Sequence, residues 1–250
     1  MPNNNRIDDI SLSQLNIIDN LYTLNFSTKE KFGRNEIYKD KYMKLNYVTN
    51  YVMINDVTNI KQIYELYKDN NSFIEFKIIG DKSNSFDFIS DKEIYRINYF
   101  VADKSIINNI EIKEDIKLVL IDENHKDEFV SIIFSNSLCF GESYAKANLK
   151  RMYDVLFNKE SNIKYYFMYK NNTVIGYGSA FIKDRILKIE DINISDKYKN
   201  MGYGKTIIKE IAKYYDWDIL YTVSLVESAD FYKKIGFCLK GHGYLIRKIF

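Results

Sequence analysis

"DKYKNMGYGK", residues Asp196–Lys205, sets Gly202 and Gly204 two apart between an apolar strand-like run and a run of good helix formers. A helix N-terminus carries unpaired backbone N–H groups and roughly +0.5 of a charge from its summed peptide dipoles. A phosphate binds such an end when no side chain blocks its approach, and glycine supplies that access. The amides of Asn200, Met201, Gly202, Tyr203, Gly204 and Lys205 are therefore the candidate phosphate cradle, with Lys199 adding a mobile positive charge. A bare Gly-x-Gly is a weak signal. This one is neither the Gly-x-Gly-x-x-Gly dinucleotide turn nor the Gly-x-x-x-x-Gly-Lys-Ser/Thr loop of nucleotide triphosphatases.

The flanking pattern places the turn in a sheet with intervening helices. Upstream, "IKLVLI" (116–121) reads as a strand, "HKDEFVSIIFSN" (125–136) and "SYAKANLKRMYDVLF" (143–157) as amphipathic helices. "IKYYFMYKNNTVIGYGSAFI" (163–182) reads as a hairpin turning at Lys170–Asn172, and "RILKIEDINI" (185–194) as a further strand. Downstream come a helix (203–215), a strand (218–225), a short helix (227–234) closed by Gly236, and a last strand (244–250). Ser224 and Glu227 have the spacing of a capping box for that short helix. Nearer the N-terminus, 59–68 reads as a helix, and 72–80 and 93–101 as strands. The likeliest seam is "ADKSIINNIEIKED" (102–115), dividing the chain into a smaller α/β domain, 1–112, and a second domain, 113–250.

Composition narrows the classes. The 46% hydrophobic and 28% charged content over 250 residues is that of an ordinary globular protein, not a disordered chain. No run approaches the roughly 18 apolar residues of a membrane span, so no membrane partner is expected. "MPNNNRIDDISLSQ" has no basic start followed by an apolar core, the mark of a secretory leader. With Cys139 and Cys238 as the two cysteines and His125 and His242 as the two histidines, neither a disulfide framework nor a metal centre is expected, and a cytoplasmic setting fits. The net charge of +2 is too small for a nucleic-acid binder. It divides as −2 before residue 113 and +4 after it, which suits a small anionic cofactor in the second half.

The order strand, Glu190-Asp191, Ile192-x-Ile194, Lys199-x-x-Gly202-x-Gly204, helix resembles the acyl-CoA-binding motif of the GCN5-related N-acetyltransferase (GNAT) superfamily. That motif usually opens with Arg or Gln. Lys199 keeps the charge but not the planar fork, which implies somewhat looser phosphate binding. "SADFYKKIGF" (228–237) resembles the later motif of the same family, although Leu225 stands where its relatives often carry Asn. The resemblance covers about 113–250 and implies an α/β fold with a mixed, mostly antiparallel sheet flanked by helices. It also implies acetyl-CoA as co-substrate, no metal, and a small-molecule or peptide amine as acceptor.

The chemistry so implied is direct acyl transfer to an amine. An alkyl amine has a pKa of roughly 10, so about one molecule in a thousand is neutral at pH 7 and a base must take a proton. The leaving thiolate must gain one, and the carbonyl oxygen needs an N–H donor. On the family pattern Tyr232 is the general acid, Glu190 the general base, and the main chain of Ile192 and Ile194 borders the pantetheine arm. Asp191 is the less favoured base, since strand alternation turns it to the other sheet face. An arbitrary one of 22 tyrosines is a packing residue; motif position singles out Tyr232. Cys139 reads as a packed residue, His242 as a turn residue, and Tyr144 and Tyr153 as core or solvated by default. Residues 1–112 lack both motifs, and their helix–strand–helix–strand order is loosely similar to the latter part of the same fold. A degenerate acetyltransferase-like half that shapes the acceptor pocket and an unrelated extension both remain open. Rival functions are a non-catalytic acyl-CoA-binding module and an O- or long-chain acyltransferase; the acceptor and the oligomeric state are not readable.

Overall fold

The computed structural model describes residues 6–44, 49–68, 73–81, 83–157 and 161–250; Ser72, which opens one expected strand, and residues 1–5 lie outside them. The strands are β1 (Ser27–Phe32), β2 (Asn35–Asp40), β3 (Tyr51–Met53), β4 (Phe73–Ile79), β5 (Glu93–Ala102), β6 (Lys117–Leu120), β7 (Ile163–Lys170), β8 (Thr173–Lys183), β9 (Ile186–Ile194), β10 (Ile219–Leu225) and β11 (Cys238–Ile249). The helices are α1 (Arg6–Asp9), α2 (Leu12–Thr23), α3 (Ile60–Lys68), α4 (Lys104–Asn108), α5 (Lys126–Ser137), α6 (Glu142–Phe157), α7 (Tyr203–Ala212) and α8 (Ala229–Lys234). All eleven strands form one sheet in the order β1-β2-β3-β4-β11-β5-β10-β9-β8-β7-β6.

Alternation along the strands builds two cores, one on each face. Ile97, Tyr99, Tyr165, Phe167 and Tyr221 face α2, α5 and α6. Phe100, Tyr166, Met168, Leu187, Ile189 and Leu220 face α7 and its neighbours. The period-2 pattern of β7 and the Ile207, Ile208 and Ile211 face of α7 therefore pack as their spacing predicts. The β7–β8 hairpin turns through Asn171 and Asn172, both with positive φ, as a two-residue turn with right-handed strand twist requires.

Two strand pairs are parallel, β3 with β4 and β9 with β10, and a helix (α3 or α7) spans each. Each half thus repeats an antiparallel run, a parallel strand–helix–strand unit and a final long strand. The final strands are exchanged: β5 of the first half lies against β10 of the second, and β11 of the second against β4 of the first. They pair with each other at the middle of the sheet, so the chain on either side of residue 112 is interleaved there.

Three readings of the sequence are corrected. The last strand begins at Cys238, not 244, and His242 pairs with Asn98 inside it instead of occupying a turn. The glycines beside it answer to packing: a Cβ on Gly243 would lie 2.5 Å from Ile78 O, and one on Gly241 would lie 2.8 Å from Leu12 Cδ2. The Ser224–Glu227 capping box does not form; Ser224 lies within β10, which ends at Leu225, and α8 starts after Ser228 with no side-chain cap.

Candidate active site

β9 and β10 pair only through Ile219↔Ile186, Leu220↔Leu187 and Tyr221↔Lys188. Beyond that point β9 stays on β8 and β10 stays on β5, so the sheet opens as a wedge between residues 189–194 and 222–225. Backbone groups on the inner edges of the wedge are left for something other than a neighbouring strand.

One end of the wedge leads to the glycine loop. Gly202 is the N-cap of α7 at φ 91°, and no side chain caps it. Thr206 N–H donates to Gly202 O, so the amides of Tyr203, Gly204 and Lys205 precede the first amide that donates within the helix. Asn200, at φ 62°, turns the chain just before them. Lys199 is exposed and folded back on Asp196 at 2.5 Å. Lys113, which the sequence reading did not single out, joins them from the seam: its N–H donates to Thr206 Oγ1 at 3.1 Å, and its stem lies beside Gly202. The matching place in the first half is closed. There Asp56 caps its own turn by accepting from Thr58 N–H, setting a carboxylate where an anion would sit.

The other end opens on a cavity of about 650 Å³ lined by both halves of the chain. β9 brings Lys188, Glu190, Asp191, Ile192 and Asn193 to it, β10 brings Val223, Ser224 and Leu225, and α2 brings Asp19 and Tyr22. A bulge explains why adjacent Glu190 and Asp191 share this space. Ser179 pairs with Glu190 and Tyr177 with Asn193, so Gly178 alone faces two β9 residues, and Asp191 takes φ 55°. Ile192 and Ile194 consequently pack toward α7, as Leu187 and Ile189 do. The alternation that turned Asp191 away is broken at this point.

The charges around the cavity are mostly paired. Lys188, 3% exposed, lies 2.6 Å from both Asp19 and Glu190, and Lys77 is Asp19's second partner. Burial opposes the Asp19 charge, but Lys188 and Lys77 hold its carboxyl well below the ordinary range. Burial dominates at Glu190, pushing it up to about 7 against the pull of Lys188. Arg247 holds Glu75 at 2.7 Å, and Arg151 holds Asp40 at 2.9 Å.

Tyr232 stands elsewhere. It lies on α8, half-buried on the α7 face, with Phe100 stacked at 5.7 Å and Phe231 and Phe237 edge-on at 5.0 and 5.6 Å. It does not line the cavity that holds Glu190; the two are on opposite faces of the sheet, with the wedge between them. Burial pushes its hydroxyl up to about 12, so it keeps its proton at neutral pH. Tyr144 does line the cavity, whereas Tyr153 packs on Phe157. Cys139 is exposed beside α6.

The wedge fits a pantetheine-bearing ligand on two observations. Ser224 Oγ, in a residue 7% exposed, has no hydrogen-bond partner among the described residues where the wedge meets the cavity. The amides that open α7 take no side-chain cap among the described residues, and Gly204 beside them answers to packing, a Cβ there lying 3.3 Å from Phe231. Among the described residues no group of three or more His, Cys, Asp or Glu could hold a metal ion, and no helix is long and apolar enough to cross a membrane.

Residues 129–237 match the model of the acetyltransferase (GNAT) family. Those residues form a domain of that family, and the fold of the chain matches that of GNAT proteins, a tandem one included. A functionally unknown conserved protein from Staphylococcus epidermidis ATCC 12228 superposes with a TM-score of 0.75 at 17% identity, over 89% of this chain and 94% of that one. A GCN5-related N-acetyltransferase from Kribbella flavida gives 0.68 at 7% identity over 96% of each chain. A tandem GNAT protein from the clavulanic acid biosynthesis pathway gives 0.57 at 9% identity, over 93% of this chain and 87% of that one. At these identities the likeness is one of fold. No curated protein matches the sequence.

Proposed function

We propose that the protein transfers acetyl from acetyl-CoA to a primary amine by direct attack, with the donor in the β9–β10 wedge and the acceptor in the cavity. The observation that carries this reading is the continuity of the two: a wedge with open backbone edges runs from uncapped helix amides to a cavity holding a carboxylate with a pKa of about 7. Coenzyme A supplies an activated thioester, and the amides of 200–205 with Lys199 and Lys113 would hold its diphosphate. The main chain of Ile192 and Ile194 borders its arm, and Ser224 Oγ is free to bond it.

Glu190 takes the proton of the incoming ammonium. A base with a pKa near the working pH combines an ionised population with useful proton affinity. Lys188 fixes the carboxylate's position, and Asp19 fixes Lys188. Tyr232 holds a proton on the opposite face for the departing sulfur; the second proton that the nitrogen sheds as the amide forms passes to solvent, from which Tyr232 regains its own. Thiol release from acetyl-CoA across a panel of amines tests the proposal. Turnover supports it, and binding without turnover across the panel favours a binding module instead.

Two smaller effects follow. The rate should rise with pH through an inflection near 7 as Glu190 loses its proton. In Glu190→Gln that inflection disappears, and only the rise set by the amine's own ionisation near pH 10 remains; a pH profile of kcat/KM reads both. Gly202→Ala forces a Cβ into the left-handed region, so urea melts should show a loss of about 1 kcal/mol. Calorimetry should show weaker coenzyme A binding in the same variant.

A further inference from the structure

Asp191 differs from every other carboxylate of the cavity in having no cation beside it among the described residues. Three hydroxyls donate to its Oδ2: Tyr165 at 3.0 Å, Tyr22 at 3.1 Å and Ser179 at 3.3 Å. Tyr22 and Tyr165 are buried at 7% and 1% exposure, so the carboxylate is clamped from below by groups that do not move to solvent. Its Oδ1 takes no donor among the described residues, and the side chain is exposed along the cavity wall. The bulge holds Asp191 there at positive φ, next to Glu190 on the same face. Its hydroxyl partners come from both halves of the chain, α2 as well as β7 and β8.

From this geometry we infer that Asp191 is an ammonium subsite selecting an acceptor that carries a second, non-reacting positive charge. The inference rests on the acetyl-transfer reading above and names its substrate class. The reacting amine must give its proton to Glu190 and attack as the neutral species, so it keeps no ion pair through the reaction. Asp191, which takes no part in that proton transfer, therefore serves a second ammonium, one that stays protonated throughout. The rings of Tyr165 and Tyr177 around it suit the same ligand, because aromatic faces attract ammonium groups; Tyr22 already carries Lys188 over its ring at 4.0 Å. At about 650 Å³ the cavity has room for a chain with amines at both ends. With Glu190 ionised, the other charges of the wall balance: Asp19 and Glu190 against Lys77 and Lys188, Glu75 against Arg247, and Asp40 against Arg151.

Paired probes of one length, 1,4-diaminobutane and butylamine, isolate the second charge. The wild-type protein should acetylate the diamine with kcat/KM at least about tenfold above the monoamine. Asp191→Asn should bring that ratio down toward one, with the loss carried mainly by KM. Tyr22→Phe, which removes one clamping hydroxyl, should lower the ratio severalfold. Coenzyme A affinity by calorimetry checks that each variant is folded at the wedge. A wild-type protein that binds coenzyme A but does not prefer the diamine in rate or binding overturns the inference. So does a ratio that both variants leave unchanged. Failure of the wild-type protein to bind coenzyme A at all would instead bring down the acetyl-transfer reading, and the inference with it.

Discussion

Tyr232→Phe is expected to lower kcat for acetyl transfer about a hundredfold while coenzyme A affinity stays within about twofold. The substitution removes one hydroxyl and leaves the ring, so the stack on Phe100 and the edge contacts with Phe231 and Phe237 survive. What is lost is a proton held on the α7 side of the wedge, on a hydroxyl that burial keeps protonated far above neutral pH. A purely structural tyrosine would show the reverse: a lower melting temperature and little change in rate. Steady-state kinetics with calorimetry separates the two, and equal rates for both proteins would remove Tyr232 from the chemistry.

Asp19→Asn is expected to cost about 3–5 kcal/mol of folding stability, the usual effect of removing one member of a buried ionic cluster. For a chain of this length that lowers Tm by about 10 °C. Asp19 is 6% exposed on α2, with Lys77 of β4 and Lys188 of β9 turned to it at 4% and 3% exposure. Asparagine keeps the volume but removes the carboxylate that both buried ammonium groups share, leaving Lys188 with Glu190 and Lys77 without its ion-pair partner. The same cluster ties the two halves of the chain together, so the loss should appear in a single cooperative transition. Its pH dependence has a definite sign. The native carboxyl sits below its ordinary 3.8, so its contribution is complete above that pH and fades as pH falls below it. The gap between wild type and variant should therefore close in acid. A Tm change under about 2 °C at pH 7 would mean that Asp19 does not hold the two lysines.

Much of the second half could be read from the chain because its signals are local. The Asn171–Asn172 turn, the isoleucine face of α7, the left-handed Gly236 and the two glycines of the loop each require only their immediate neighbours. The parts that escaped are non-local. Nothing near Asp191 announces a bulge, since neither glycine nor proline stands at 191, and aspartate is one of the few other residues that tolerates left-handed backbone. Simple alternation therefore assigned it the wrong face. Ser224-x-x-Glu227 matches a capping box in spacing, but the sheet takes Ser224 before the helix can. α2 did carry a readable signal, Ser11 and Gln14 capping its start reciprocally, yet which of its residues meet β9 more than 160 positions later depends on the assembled sheet. The exchange of β5 and β11 depends on pairing across the whole chain, and no local pattern encodes it.

Amide hydrogen exchange with and without coenzyme A decides whether the β9–β10 wedge and the glycine loop are the donor site. New protection is expected at 200–205, at the start of α7, and along the facing edges 189–194 and 222–225, and nowhere else. Protection elsewhere, or none at saturating ligand, would contradict that assignment.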